Sequence, residues 1–200
     1  MNARVRLLGS ALVTVALGGC TISTGSPPAG SADLVRERFE QTQQVHLDLR
    51  QPITRAEVGV RPGDPGYIVE RAGEERFLDV ELTLPGDGVL AVPAIGVVFA
   101  NDVTAPDDGP IQEIVVNRVE PDLVAAEEAL LAAVPLLALQ RGQVEEFFAR
   151  QRGDDGLDSS VFLGARLGYL TPEVEVFYRG PERRVAINYT LTWDAAPDRS

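Results

Sequence analysis

Val185-Ala186-Ile187-Asn188-Tyr189-Thr190-Leu191-Thr192-Trp193 alternates apolar and polar side chains without a break. Successive side chains of a strand point to opposite faces, so this stretch predicts a strand with one buried and one wet face. Just upstream, Gly180-Pro181-Glu182-Arg183 suits a turn with proline at its second position. Residues 173–178 alternate in the same way, and the two runs together predict a long antiparallel hairpin. Residues 161–169 alternate as well and add a third strand before it.

The same period recurs towards the N-terminus. In residues 77–84, Leu78, Val80, Leu82 and Leu84 oppose Asp79, Glu81 and Thr83; further up, Val45, Leu47 and Leu49 oppose His46, Asp48 and Arg50. Residues 67–71 read as a strand joined to 77–84 around Gly73. Residues 89–99 read as one strand with a bulge or an edge position at Pro93 and Gly96, and 111–119 as another. Loops are marked by Arg61-Pro62-Gly63-Asp64-Pro65-Gly66 and Ala105-Pro106-Asp107-Asp108-Gly109-Pro110.

Helical spacing appears twice. Ser31 suits a cap and Asp33 a first turn for a helix over 32–44, with Leu34, Val35, Phe39 and Val45 near one face. Pro121 suits a first helical position, and Leu123, Ala126, Leu130, Val134 and Leu137 keep the period that follows. Residues 129–139 carry no charge and are too short to span a bilayer, which predicts a buried helix. Pro135 and Gly142 divide the region into helices over 121–134 and 143–151, the second with Val144, Phe147 and Phe148 as its apolar stripe. The expected class is α+β: one curved, mostly antiparallel β-sheet with an N-terminal helix and a central helical segment packed on its apolar face. Residues 32–194 form this single domain, and 195–200 are expected to fray.

The N-terminus has a different grammar. Arg4 and Arg6 precede an apolar run from Leu7 to Leu17, and small residues lead to Cys20, the only cysteine. Cations, an apolar stretch and small residues in that order make a secretory signal peptide. Leu17-Gly18-Gly19-Cys20 resembles the lipobox of bacterial lipoproteins. The resemblance implies that the Cys20 thiol is diacylglycerylated and that residues 1–19 are removed between Gly19 and Cys20. Two acyl chains anchor stably where one does not. Residues 20–31, rich in Ser, Thr, Pro and Gly, would then be a lipidated flexible tether. The expected location is the cell envelope, on the extracytoplasmic side of a bacterial membrane. Thr21 stands where an aspartate would retain some lipoproteins in an inner membrane, which leaves both membranes open.

Charge narrows the partners. The formal charge is -12, and removal of Arg4 and Arg6 with the leader takes it to about -14. Such a surface repels nucleic acid and anionic headgroups, so no nucleic-acid partner is expected and the lipid alone makes the membrane contact. All eighteen cations are arginine, which excludes lysine Schiff-base chemistry. With Cys20 acylated, disulfides and thiolate sites are excluded too.

Catalytic constellations are sparse. His46 is the only histidine and lacks an identifiable serine or cysteine partner, so it reads as a surface or packing residue. Asp154-Asp155-Gly156-Leu157-Asp158 has an oxygen-rich composition that calcium favours, yet without the EF-hand spacing it reads as a solvated turn. No phosphate loop, dinucleotide fingerprint, zinc spacing or serine elbow occurs, and neither enzyme activity, metal nor cofactor is expected. The order of elements is similar to that of lipoprotein-carrier domains of the LolA and LprG type, which shield acyl chains between sheet and helices. That similarity implies a cavity for an apolar ligand such as lipid, with Leu47, Leu49, Val80, Leu82, Phe147 and Trp193 as lining residues or, equally, as ordinary core. The alternative is a structural or assembly lipoprotein that docks another envelope protein, with a filled core and an open sheet edge or apolar patch.

Overall fold

The computed structural model describes residues 31–101, 109–153, 158–178, 180 and 184–193. Cys20 with the leader and tether, most of the 105–110 loop, residues 154–157, residues 181–183 of the hairpin turn, and the tail lie outside them.

Helix α1 (Ser31–Thr42) buries Ala32 and Phe39, and half-buries Val35. Leu34 projects into solvent, 69% exposed, contrary to the stripe expected for it. A helix turns about 100° per residue, which puts Leu34 well off the line of Ala32, Val35 and Phe39. Gln43, left-handed at φ 57°, ends the helix and lets the chain run straight into β1 (Gln44–Asp48). Val45, Leu47 and Leu49 are buried, and His46, Asp48 and Arg50 face outward, as the alternation requires.

The fold is α+β; the described residues form nine strands in two mostly antiparallel sheets and three α-helices. The smaller sheet has the order β1-β3-β4, with β3 spanning Leu78–Thr83 and β4 Val89–Ala94. Its β1–β3 pair is parallel, with Val45 opposite Val80 and Leu47 opposite Leu82. The larger sheet has the order β2-β5-β6-β9-β8-β7: Gly66–Glu70, Gly96–Ala100, Glu113–Glu120, Val185–Trp193, Leu170–Tyr178 and Asp158–Leu163 respectively. The 67–71 and 77–84 strands are therefore not a hairpin. β2 pairs with β5, burying Val69 beside Val97, and the connector 71–77 crosses to the other sheet. The hairpin that does form is β3–β4. Pro85 and Gly86 (φ 90°) occupy the central positions of its turn, Asp87 N–H donates to the Leu84 carbonyl at 3.1 Å, and Leu84 N–H donates to the Gly88 carbonyl at 2.7 Å.

Residues 89–99 are two strands rather than one bulged strand. The break is a corner at Ile95, whose N–H donates to Asn117 (2.8 Å) while its carbonyl accepts from Arg71 (3.2 Å). One polypeptide run thus serves both sheets. The C-terminal hairpin is as read, β8 pairing with β9 from Leu170 opposite Trp193 to Phe177 opposite Ala186. The third strand stops at Leu163, and a loop through Gly164 and Gly168 replaces the rest of the 161–169 run.

Two helices cover the larger sheet. α2 (Leu123–Ala133) starts two residues later than expected, because Asp122 is the cap: its Oδ1 accepts from Ala125 N–H at 2.9 Å. Pro121 precedes that cap. α3 (Arg141–Gln151) includes Gly142, so the division falls earlier, in the turns at 134–138 and at Ala138 (φ 50°). The uncharged 129–139 run is consequently not one buried helix; Ala132 and Pro135 face solvent. Leu130, Leu137, Val144, Phe147 and Phe148 are buried and share one core with the inner faces of both sheets.

α1 is locked by an aromatic and guanidinium stack. Phe99 lies 6.1 Å from Phe39 and 6.5 Å from Tyr67. Arg36 sits 4.3 Å above the Tyr67 ring, pairs with Asp64 at 2.7 Å, and donates to the Gly59 carbonyl. Tyr67 donates to Glu40 at 2.7 Å, and burial with that carboxylate holds its phenol well above the usual range. Close approach explains Gly66, where a Cβ would meet the Phe99 carbonyl oxygen at 2.4 Å.

Candidate functional site

The two sheets part company at Ile95. β5 covers β6 only as far as Asn117, whereas β9 stays paired with β6 to Glu120. Beyond Asn117, β4 peels away and leaves a wedge-shaped notch of about 550 Å³ between its edge and the end of β6. Val89, Leu90 and Ala91 form one wall, and Arg118 and Glu120 of β6 with Tyr189 of β9 form the other. α2 closes one side with Ala125, Glu128, Ala129, Ala132 and Ala133, and Leu136 follows. The alanines fall on one face because three- and four-residue steps stack along a helix. At the far end the β3–β4 turn comes close to the segment after α2: a Cβ on Gly88 would lie 3.2 Å from Leu136.

The polar wall departs from the sheet's own pattern. Ile114 and Val116 are buried on the inner face of β6, and Arg118 and Glu120 take the next two positions of the same parity. Their side chains are 19% and 12% exposed and form an ion pair. Tyr189 lies against them at 1% exposure. Burial pushes its phenol up to about 12, with Arg118 pulling the other way and Glu120 adding to the rise, so it stays neutral at ordinary pH. Glu128 stands at the rim, exposed and without an ion-pair partner among the described residues.

The edge of β4 carries peptide groups without a partner among the described residues. The Leu84–Gly88 bond sets the phase of the β3–β4 ladder, so Leu90, Val92 and Ala94 bond to β3. Val89, Ala91 and Pro93 then aim their backbone groups the other way, as Ile95 does towards Asn117. Pro93 has no N–H to offer, which places proline where edge strands tolerate it.

The six residues considered as a lining are all buried: Leu49, Val80 and Leu82 fully, Phe147 at 1%, and Leu47 and Trp193 at 9%. Leu47, Leu49, Val80 and Leu82 come together on the inner face of the smaller sheet. Phe147 packs edge-on against Phe148 and Phe162 at 5.1 and 5.7 Å, and Trp193 closes the end of β9 opposite Leu170. None of the six lines the notch. His46 lies on the outer face, 3.4 Å from Asp79 and 3.9 Å from Glu81. Among the described residues no cluster of three His, Cys, Asp or Glu is placed to hold a metal ion. No helix among them is long and apolar enough to cross a membrane. Of the acidic 154–158 stretch, only Asp158 is described; its carboxylate accepts from Gln151.

Compared with protein-family models, with curated proteins and with solved structures, the chain finds no match.

Proposed function

We propose that the protein is a bacterial lipoprotein, anchored through Cys20 outside the cytoplasm, whose domain docks another cell-envelope protein without catalysing a reaction. The observation that carries the docking reading is the notch: an open strand edge beside an alanine-faced helix. The second reading is an apolar ligand such as lipid held in the same place. Leu90, Leu136 and the alanines favour it, but the Arg118–Glu120 pair and the free peptide groups of β4 count against it. An acyl chain would strip water from those groups and return no hydrogen bonds. The notch lining contains no serine, cysteine, histidine or lysine to serve as a nucleophile or its base.

The docking test is a photo-crosslinking residue in place of Ala132, at the exposed face of α2 in the notch. In cells, one dominant protein adduct is expected. Adducts with lipid alone, or none, would overturn the docking reading.

The anchor has its own test. Cys20→Ala is expected to abolish acyl labelling and to release the protein from the membrane fraction. Labelling that survives the substitution would refute Cys20 as the modified residue.

A further inference from the structure

We infer that the occupant of the notch is an extended segment of another protein, with small apolar side chains and at least one arginine or lysine, which adds to β4 as a further strand. This rests on the docking reading above. The N–H and C=O of Val89 and Ala91 face the notch. Only another extended backbone offers donors and acceptors at the matching period, which is how strand addition obtains its affinity. At about 3.3 Å per residue, the open stretch from Val89 to Ala91 takes about three residues of such a strand.

The walls set the side chains. Ala125, Ala129 and Ala132 present single methyl groups, so inward residues of the added strand meet a shallow surface that suits alanine, valine or threonine. Outward residues would lie beside Val89, which is 46% exposed.

Charge sets the rest. Arg118 is committed to Glu120, and Glu128 has no cation among the described residues. On the outer face, Glu81 and Asp79 sit opposite Ala91 and Pro93 in the β3–β4 register, two strand spacings (about 10 Å) from an added strand and within reach of a long cationic side chain. The surface around the open edge is therefore acidic, in a chain of formal charge -12. A second copy would bring the same sign and be repelled, whereas a basic segment is attracted.

The test uses acetylated octapeptides with alanine, valine or threonine at alternate positions and arginine, glutamate or serine between them, titrated into the purified protein by fluorescence anisotropy. Arginine members are expected to bind at least about tenfold tighter than glutamate members. N-methylation of the residues that face β4 should cost a further factor of about ten. Ala91→Pro, which deletes one edge N–H, should weaken binding by about as much. Glu128→Arg should erase the preference for arginine. Absence of any binder, equal binding of both charges, or indifference to N-methylation would each overturn the inference. If the Ala132 photo-crosslinker traps one protein while the peptides fail, docking stands and strand addition falls; if it traps none, docking itself falls.

Discussion

Phe99→Ala lowers the unfolding free energy by about 3–5 kcal/mol, the range for deleting a fully buried phenylalanine. Phe99 has no exposed surface and is stacked between Phe39 of α1 and Tyr67 of β2. Its loss removes apolar burial and two ring contacts at once. It also loosens Tyr67, on which Arg36 rests. For a domain of this size the melting temperature should fall by roughly 10 °C. The check is urea unfolding, where the midpoint should drop with the slope unchanged. Phe99→Leu, which keeps most of the volume, should cost less than half as much. A loss below about 1 kcal/mol would mean that α1 is not held through this ring.

Arg118→Met costs about 3 kcal/mol, near the lower end for breaking a buried ion pair, because it leaves the Glu120 carboxylate without its cation on the inner face of β6. Replacing both charges, Arg118→Met with Glu120→Met, should recover most of that loss, since apolar residues at these positions continue the stripe of Ile114 and Val116. The double-mutant cycle in urea decides the matter. Equal destabilisation in the single and double variants would show that the chain depends on Arg118 itself rather than on the pair.

Local pattern carries the elements and the β8–β9 hairpin, and misses the partners of β2 and β3. The alternation of residues 185–193 and of Leu78, Val80 and Leu82 identified β9 and β3 and their buried faces, because side-chain period depends only on the backbone of one strand. Which strand pairs with which depends on contacts distant in sequence. Residues 67–71 and 77–84 are neighbours in the chain, yet β2 pairs with β5 and β3 with β1. The corner at Ile95 leaves little trace in a run of valine, alanine, proline and isoleucine. Pro93 and Gly96 predict an edge or a bulge, and the turn lies between them.

The site was legible in part. Arg118 and Glu120 interrupt the parity of Ile114 and Val116, a signal for charges on an inner sheet face that the strand reading of 111–119 passed over. Helical spacing and the lack of charge predict only a buried helix for the alanines of α2. Small side chains also leave room, and nothing in their spacing tells a packed face from an open one. Cys20 is the opposite case, read wholly from local grammar and lying outside the described residues.

The notch is pinned at its apex, because the Ile95–Asn117 hydrogen bond and the continuous chain through the corner tie the sheets there. A wedge fixed at one end widens by rotation, not by separation. Val89 lies six residues from that pivot, about 20 Å along the strand, so a swing of about 5° moves the mouth by about 2 Å while the apex stays still. The aperture is thus levered by β4, and because Leu90, Val92 and Ala94 of that strand are buried, any change of width is felt in the core beneath the smaller sheet.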